Sequence, residues 1–373
     1  MLRNLTLEKA INIVRLSVAL SFCWPLRASN SKTVIFGYRV MQICAAINIS
    51  LLLLPTLYTV YLRSDVEIVS HCVAQAICEF QCIVQTIICF SKYDTLQRII
   101  EELWSFIEEA QRYERDILHE YFARINVFYG GYIVAMYIIG FFGVIGTLFL
   151  PIVDLMFAEY PFDVNNRTLV SVIIRAQQII ACHQVCAHEC MCLFSALLIW
   201  FTAARFECLI VELQSVADIR MLAPYIEKHL RLKRYAEEVA DCFRFMVLFV
   251  IAVCTFVITI CALAIVTNTP LIAKMLFVVV TASLLMHIYM YAWPADHMKE
   301  MSLKFSQCVY NLPWYEHTTR MQKNLLNVLI YQKPVILSIS CLLPELSLRY
   351  YCSVNCINVR ALFKGHVAPR LIL

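Results

Sequence analysis

Six long apolar segments constrain the fold of this chain more than any other feature of its sequence. An α-helix needs roughly 20 apolar residues to cross the hydrocarbon core of a bilayer, and each segment is about that long or longer. Apolar residues make up 61% of the chain and charged residues 16%, whereas soluble domains hold roughly 45–50% and 25%. The sequence therefore predicts an all-α membrane protein, with spans at residues 40–62, 68–90, 126–153, 171–204, 245–267 and 275–293.

A further apolar stretch near the C-terminus is less clear. Residues 334–343 carry no charge, but Pro344 and Glu345 interrupt the stretch, and a tail of different character follows at 354–373. Hydropathy does not decide there between a membrane span, a re-entrant helix and a core helix. Counting residues 334–353 as a span gives seven transmembrane helices.

The basic residues between the spans predict which helix ends face the cytoplasm. Segments 1–32, 92–124, 205–244 and 294–333 together hold 22 lysines and arginines, and the alternate connections at 63–67, 154–170 and 267–270 hold 2. Because cytoplasmic loops are enriched in these residues, we expect a cytoplasmic N-terminus and, with seven spans, an extracellular C-terminus. Asn166 lies in the longest connection on the predicted extracellular side and is the candidate glycosylation site.

The connections on the predicted cytoplasmic side are patterned like helices that extend the spans and pack against one another. Residues 1–32 hold a short apolar run that Arg15 interrupts, which disfavours a signal peptide and favours an amphipathic helix at the cytoplasmic surface. In 92–124, apolar residues recur every three to four positions, at Leu96, Ile99, Leu103, Ile107, Ala110, Tyr113, Ile117 and Tyr121.

The sequence lacks the motifs that several classes of function require. No catalytic motif or phosphate-binding loop is present, and a net charge of +4 without a basic run disfavours nucleic acid as a partner. Cys182, Cys186 and Cys190 share one helical face, but a single helix offers a metal at most two adjacent ligands. We therefore expect no enzyme activity, no cofactor and no metal site, and we expect these cysteines to pack between spans.

Two acids inside predicted spans, Glu79 and Glu189, leave two interpretations open. Intramembrane acids mark pathways or binding pockets, and they also occur as protonated or hydrogen-bonded groups between helices. The chain is rich in aromatic residues, with 22 Phe, 19 Tyr and 5 Trp. An apolar pocket with a few polar groups suits small, volatile, mostly apolar ligands.

Three motifs near the C-terminus carry a family resemblance. They are the run YNLPWY at 310–315, QKP at 332–334 and LPELSLRYY at 343–351. Together they resemble the C-terminal signature of insect odorant receptors, and they look closest to the divergent receptors of ants, bees and wasps. Trp24-Pro25 is similar to the N-terminal pattern of that family.

This resemblance implies an odorant-gated cation channel in the plasma membrane of the sensory-neuron dendrite. Its subunits form tetramers with a shared odorant co-receptor, and the odorant lies between the second, third, fourth and sixth spans. The ligand-binding residues that this implies are His71, Gln75, Phe141, Phe142, Ile145, Ile174, Gln178, Met275 and Val279. Those expected at the cytoplasmic anchor and pore entry are Tyr310, Trp314, Lys333 and Pro334.

The chain is accordingly expected to divide into five parts. These are an N-terminal cytoplasmic segment at 1–32, a six-span bundle at 33–293, a cytoplasmic anchor at 294–333, a pore-lining seventh span at 334–353 and a tail at 354–373. The tail departs from the family pattern, because it places Arg360, Lys364 and Arg370 where the pore mouth is expected.

The sequence leaves three other classes of membrane protein open. A gustatory receptor of the same superfamily shares the architecture, although the C-terminal motifs disfavour it. A G-protein-coupled receptor would have an extracellular N-terminus, against the distribution of basic residues. A solute transporter is disfavoured because the sequence shows no internal repeat.

Overall fold

A computed structural model describes residues 7–149, 158–162, 168–214, 222–266 and 271–311, together with positions 315, 319, 322–323, 326, 334–336 and 349. Within these residues the chain is helical throughout, apart from short connections. The nine α-helices described are α1 (Leu7–Ser17), α2 (Lys32–Leu62), α3 (Val66–Ser91), α4 (Tyr93–Glu109), α5 (Arg112–Phe149), α6 (Thr168–Glu189), α7 (Met191–Gln214), α8 (Leu222–Val266) and α9 (Leu271–Tyr310).

Six helical stretches in the described residues are long and apolar enough to cross a membrane. One lies in each of α2, α3, α5, α8 and α9, and one runs through α6 and α7 together. This confirms the six clear spans predicted from the sequence. Helix α8 has 45 residues, and at 1.5 Å per residue it is about twice as long as the hydrocarbon core is thick. The long spans therefore continue well outside the bilayer, as the patterned connections predicted.

The connection 92–124 forms two helices, not one. Helix α4 ends at Glu109, Ala110 leaves the helical conformation, and α5 begins at Arg112. The apolar stripe of α4 is buried as predicted, including Leu96 and Leu103. Ion pairs then tie α4 and its N-cap to α7 and α8 at this end of the bundle. They join Lys92 to Asp241 at 2.7 Å, Arg98 to Glu238 at 2.9 Å and Arg205 to Glu102 at 2.6 Å.

Helix α7 forms the centre of the bundle. Every residue from Met191 to Ala204 is buried, which fits a sequence that is apolar all round. Its neighbours are α9, α8 and α5. Because α6 and α7 meet at Cys190, where the helix is interrupted, the fourth span joins a partly exposed half, α6, to a fully packed half, α7. The sequence predicts that α6 is the outer, extracellular half of this span and α7 the inner, cytoplasmic half.

The N-terminal segment packs its apolar face against the rest of the protein. Helix α1 is amphipathic, as predicted, but its apolar face, which includes Ile11 and Val14, joins the main core beside α5 and α7. The Tyr137 hydroxyl donates a hydrogen bond to the Ser17 carbonyl at 2.7 Å, and Trp24 contacts the Phe194 ring. These contacts fix the segment to the bundle.

Candidate functional site

An outer polar cluster, consisting of Thr56, Gln75 and Glu79, joins α2 and α3. The Gln75 amide donates to a Glu79 carboxylate oxygen at 2.9 Å and to the Thr56 hydroxyl at 3.3 Å. Glu79 is 2% exposed, and its second carboxylate oxygen has no partner among the described residues. One of the two intramembrane acids is therefore hydrogen-bonded between helices and retains an unused acceptor.

Near this cluster, α3 meets α8 and α9 through apolar and aromatic contacts. The His71 ring stacks on the Phe277 ring, with centroids 5.6 Å apart. Phe277 is buried with Val253, Val257 and Cys261 of α8. The second, fifth and sixth spans therefore close together around His71.

The short described loop 158–162 folds over the outer end of the bundle. The Glu159 backbone N–H donates to the Thr59 hydroxyl at 2.7 Å, and the Glu159 carboxylate pairs with Arg63. The Gln178 amide donates to the Tyr160 hydroxyl at 3.4 Å. Burial raises the pKa of the Tyr160 phenol, so it remains a neutral hydrogen-bonding group. This loop links α2 to α6 above the predicted ligand residues.

The cysteine face of α6 packs against α5, as the sequence predicted. The Cys182 thiol points to the Gly140 carbonyl, with sulfur and oxygen 3.8 Å apart. A Cβ atom at Gly140 would lie only 2.5 Å from the Cys186 sulfur. The third and fourth spans therefore approach each other closely because position 140 has no side chain.

An inner polar cluster lies where α6 ends. It consists of Tyr132 of α5, Glu189 of α6, and His287 and Tyr291 of α9. The His287 Nδ1 atom is 2.8 Å from the Tyr132 hydroxyl and 3.4 Å from a Glu189 carboxylate oxygen. The Tyr291 ring lies 5.6 Å from the His287 ring. The second intramembrane acid therefore has an imidazole partner.

The sequence analysis singled out Glu189 but not its three partners. His287, an ionisable residue within the predicted sixth span, was a signal that could have identified one of them. The tyrosines could not have been singled out, because the sequence has 19 of them. Which tyrosines face the acid depends on how α5 and α9 rotate against α6.

The structure divides the predicted ligand residues by exposure. His71, Gln75, Ile174 and Gln178 are half-buried within the bundle, and three of them make the contacts described above. The others with described side chains are more than half exposed and face the outside of a single chain: Phe141 at 56%, Phe142 at 64%, Met275 at 62% and Val279 at 58%. The Ile145 side chain lies outside the described residues.

A cleft of about 900 Å³ opens at the other end of the bundle. It lies between the α3–α4 junction, the charged part of α8 and residues 334–336. The Val335 backbone N–H donates to the Ser302 hydroxyl of α9 at 3.1 Å. Of the predicted anchor residues, Tyr310 is exposed at the end of α9 and Pro334 is half-buried. Trp314, Lys333, the glycosylation candidate Asn166 and most of the predicted seventh span lie outside the described residues.

Comparison with known proteins identifies the family. The profile of the 7tm Odorant receptor family matches residues 65–355, more than three quarters of the chain. No curated protein sequence matches the chain significantly.

Two solved structures of the insect olfactory receptor OR5 from Machilis hrabei share the fold. One has a TM-score of 0.76 and 14% identity, covering 96% of this chain and 97% of the receptor. The other, in complex with eugenol, has a TM-score of 0.71 and 14% identity, covering 97% of this chain and 98% of the receptor. The odorant-receptor profile, the shared fold and the six described spans converge on one conclusion: the chain belongs to the 7tm odorant receptor family, as a multi-pass membrane receptor and not an enzyme.

Proposed function

We propose that this chain is the odorant-binding subunit of an odorant-gated cation channel. It assembles with the shared odorant co-receptor into a hetero-tetramer in the plasma membrane of the sensory-neuron dendrite. The observation that carries the proposal is the likeness of nearly the whole chain to an insect olfactory receptor that was also solved with eugenol bound. Family membership over residues 65–355 supports the same function.

The odorant lies in the outer half of the bundle, between the second, third, fourth and sixth spans. His71, Gln75, Ile174 and Gln178 are half-buried there and supply a few polar groups among apolar ones, which suits a small, mostly apolar ligand. Phe141, Phe142, Ile145, Met275 and Val279 complete the proposed lining. The loop 158–162 covers this region and links Arg63 to Glu159 and Gln178 to Tyr160.

Residues 334–353 form a seventh, pore-lining span. The N-terminus of the chain is cytoplasmic and its C-terminus is extracellular. The hydrogen bond from Val335 to Ser302 supports an entry to this span that is held by α9. The segment 294–333 acts as the subunit anchor, and Asn166 carries a glycan on the extracellular side. The basic tail residues Arg360, Lys364 and Arg370 follow this span, where the outer pore mouth is expected.

Recording currents during odorant application tests the proposal. Cells that express this chain with the co-receptor are exposed to a panel of volatile compounds, and cells with the co-receptor alone are the control. We expect an inward cation current for a subset of the panel only when both chains are present. Correctly delivered protein that gives no current with any compound would contradict the proposal.

A further inference from the structure

The inner polar cluster lies much deeper in the bundle than the proposed odorant-lining residues. His287 follows Val279 by eight residues on α9, which corresponds to about 12 Å along the helix. Glu189 follows Gln178 by eleven residues on α6, or about 16 Å. The cluster is therefore a separate polar layer below the proposed outer lining.

Glu189 lies among the helices of the bundle, beside His287 of α9. It lies within electrostatic range of Cys78 on α3, Tyr132 on α5, Cys254 on α8 and Tyr291 on α9. Helices therefore surround the carboxylate, yet 21% of its side chain is accessible. The Glu189 side chain is therefore not fully enclosed by its neighbours.

Two buried polar atoms of the cluster also lack partners among the described residues. They are Nε2 of His287 and the hydroxyl of Tyr291, and both residues are at most 2% exposed. A buried polar group without a hydrogen bond is unfavourable by an amount similar to a lost hydrogen bond. The two residues are one helical turn apart on α9, so their unused groups lie on the same face of that helix.

The chemistry of these atoms favours a hydroxyl group as their ligand. The Glu189 carboxylate beside Nδ1 of His287 favours the tautomer with its proton on Nδ1, which leaves Nε2 as an acceptor. An alcohol can donate to that nitrogen and accept from the Tyr291 hydroxyl. An ether oxygen can only accept, so it leaves Nε2 unsatisfied.

We propose that the inner polar cluster binds the hydroxyl group of an alcohol whose apolar chain extends toward the outer residues. This inference deepens the proposed function by naming the ligand class. The axial separation of Val279 and His287 is about 12 Å, and this sets the length of chain needed to reach from the cluster to the outer residues. A linear primary alcohol is the simplest ligand with this form.

The first arm of the test measures binding without a channel. The full-length chain is purified in lipid nanodiscs and titrated with hexan-1-ol, nonan-1-ol and dodecan-1-ol. Each alcohol is compared with its isomeric methyl ether, and the shift in thermal unfolding midpoint is followed. We expect at least one alcohol to bind about tenfold more tightly than its isomeric ether, the size expected for one added hydrogen bond.

Three variants test whether the preference for an alcohol over its ether arises at the inner polar cluster. Tyr291→Phe removes only a hydroxyl that has no partner among the described residues, so it should fold normally. His287→Phe removes Nε2 together with the Nδ1 contacts to Tyr132 and Glu189. Tyr289→Phe is the control, since its ring stacks on Trp293. We expect the preference for the alcohol over the ether to disappear in Tyr291→Phe and His287→Phe and to remain in Tyr289→Phe.

The second arm records currents from the chain with the co-receptor for the same compounds. Odorant currents without any preference for alcohols in either arm would overturn the subsite and leave the proposed function standing. Preferential binding of alcohols without any odorant current would contradict the proposed function and leave the subsite standing. A preference that survives both Tyr291→Phe and His287→Phe would show that the hydroxyl group binds elsewhere, and that result also overturns the subsite.

Discussion

The Gln75 amide and the Glu79 carboxylate are hydrogen-bonded at 2.9 Å across one turn of α3. This bond satisfies one oxygen of a carboxylate that is 2% exposed, and the other oxygen has no partner among the described residues. Gln75 also donates to Thr56 of α2. The amide of Gln75 is therefore positioned to hold the acid and to join the first two spans.

Removing this amide should destabilise the protein. We expect Gln75→Leu to lower the free energy of unfolding by about 1–3 kcal/mol, because it leaves the buried acid without its donor. Glu79→Gln keeps the shape of the side chain and removes the carboxylate, so it should be nearly neutral. Thermal unfolding of the purified variants measures both effects. Equal stability of Gln75→Leu and the wild type would contradict the assigned role of the amide.

Arg205 should not tolerate replacement by lysine. Its guanidinium pairs with Glu102 at 2.6 Å and lies over the rings of Phe106, Phe201 and Tyr235 at 4.9–5.6 Å. A lysine keeps the charge but cannot stack a planar group on these rings. We therefore expect Arg205→Lys to reduce stability by about 1–2 kcal/mol.

The matched control for this change is Arg231→Lys. Arg231 pairs with Glu227 on the exposed face of α8, and both side chains are more than 60% exposed. Such a surface pair contributes little to stability, so the control should unfold at the wild-type temperature. If both variants lose the same stability, the ring contacts of Arg205 do not contribute as argued.

The fold could be predicted from the sequence where one physical rule dominates. The need for roughly 20 apolar residues per span fixes the six clear helices, and helical periodicity identified the buried face of α4 at Leu96 and Leu103. Helix α1 was also expected, but its packing against α5 and α7 was not. An amphipathic helix buries its apolar face equally well against lipid or against α5 and α7, and the sequence does not distinguish these two environments.

The site was less predictable because lipid and protein select for the same apolar side chains. Phe142 and Gln178 were both expected to line the pocket, yet the first is 64% exposed and the second is half-buried. The rotation of each helix about its axis determines this difference, and a span that is apolar on all sides carries no pattern that reveals its rotation. Polar residues such as Glu189 and His287 are better guides, since burial forces them to find partners.

The location of the two termini provides a further prediction. The excess of basic residues in alternate connections predicts that an N-terminal tag is cytoplasmic and, with seven spans, that a C-terminal tag is extracellular. Antibody labelling of intact and permeabilised cells measures both. We expect the C-terminal tag to be labelled on intact cells and the N-terminal tag only after permeabilisation. An exposed N-terminal tag would instead favour a G-protein-coupled receptor.

Phe142→Ala should change ligand preference without changing delivery to the cell surface. Phe142 is 64% exposed and its described ring contact is with its neighbour Phe141, at 6.0 Å between centroids. Truncating it removes little packing within the chain, so stability should change by less than about 1 kcal/mol. Dose–response curves for bulky and slender odorants measure the preference, which we expect to shift toward bulky ones. Unchanged tuning would remove Phe142 from the proposed pocket.

The contact between Gly140 and Cys186 permits a test with an internal rescue. A Cβ atom at position 140 would lie 2.5 Å from the Cys186 sulfur, so Gly140→Ala should push α5 and α6 apart and reduce stability by about 1–3 kcal/mol. Gly130→Ala is the control, because nothing lies within 4 Å of its added Cβ. Alanine also favours the helix by roughly 0.5–1 kcal/mol there.

The rescue is the double variant Gly140→Ala with Cys186→Ala. Removing the sulfur leaves the Cys186 Cβ 3.9 Å from the new methyl group, which is an ordinary contact. We therefore expect the double variant to be more stable than Gly140→Ala alone. The coupling measured in this double-mutant cycle should exceed the few tenths of a kcal/mol seen between distant sites. Strictly additive effects would mean that the two helices do not approach each other at this point.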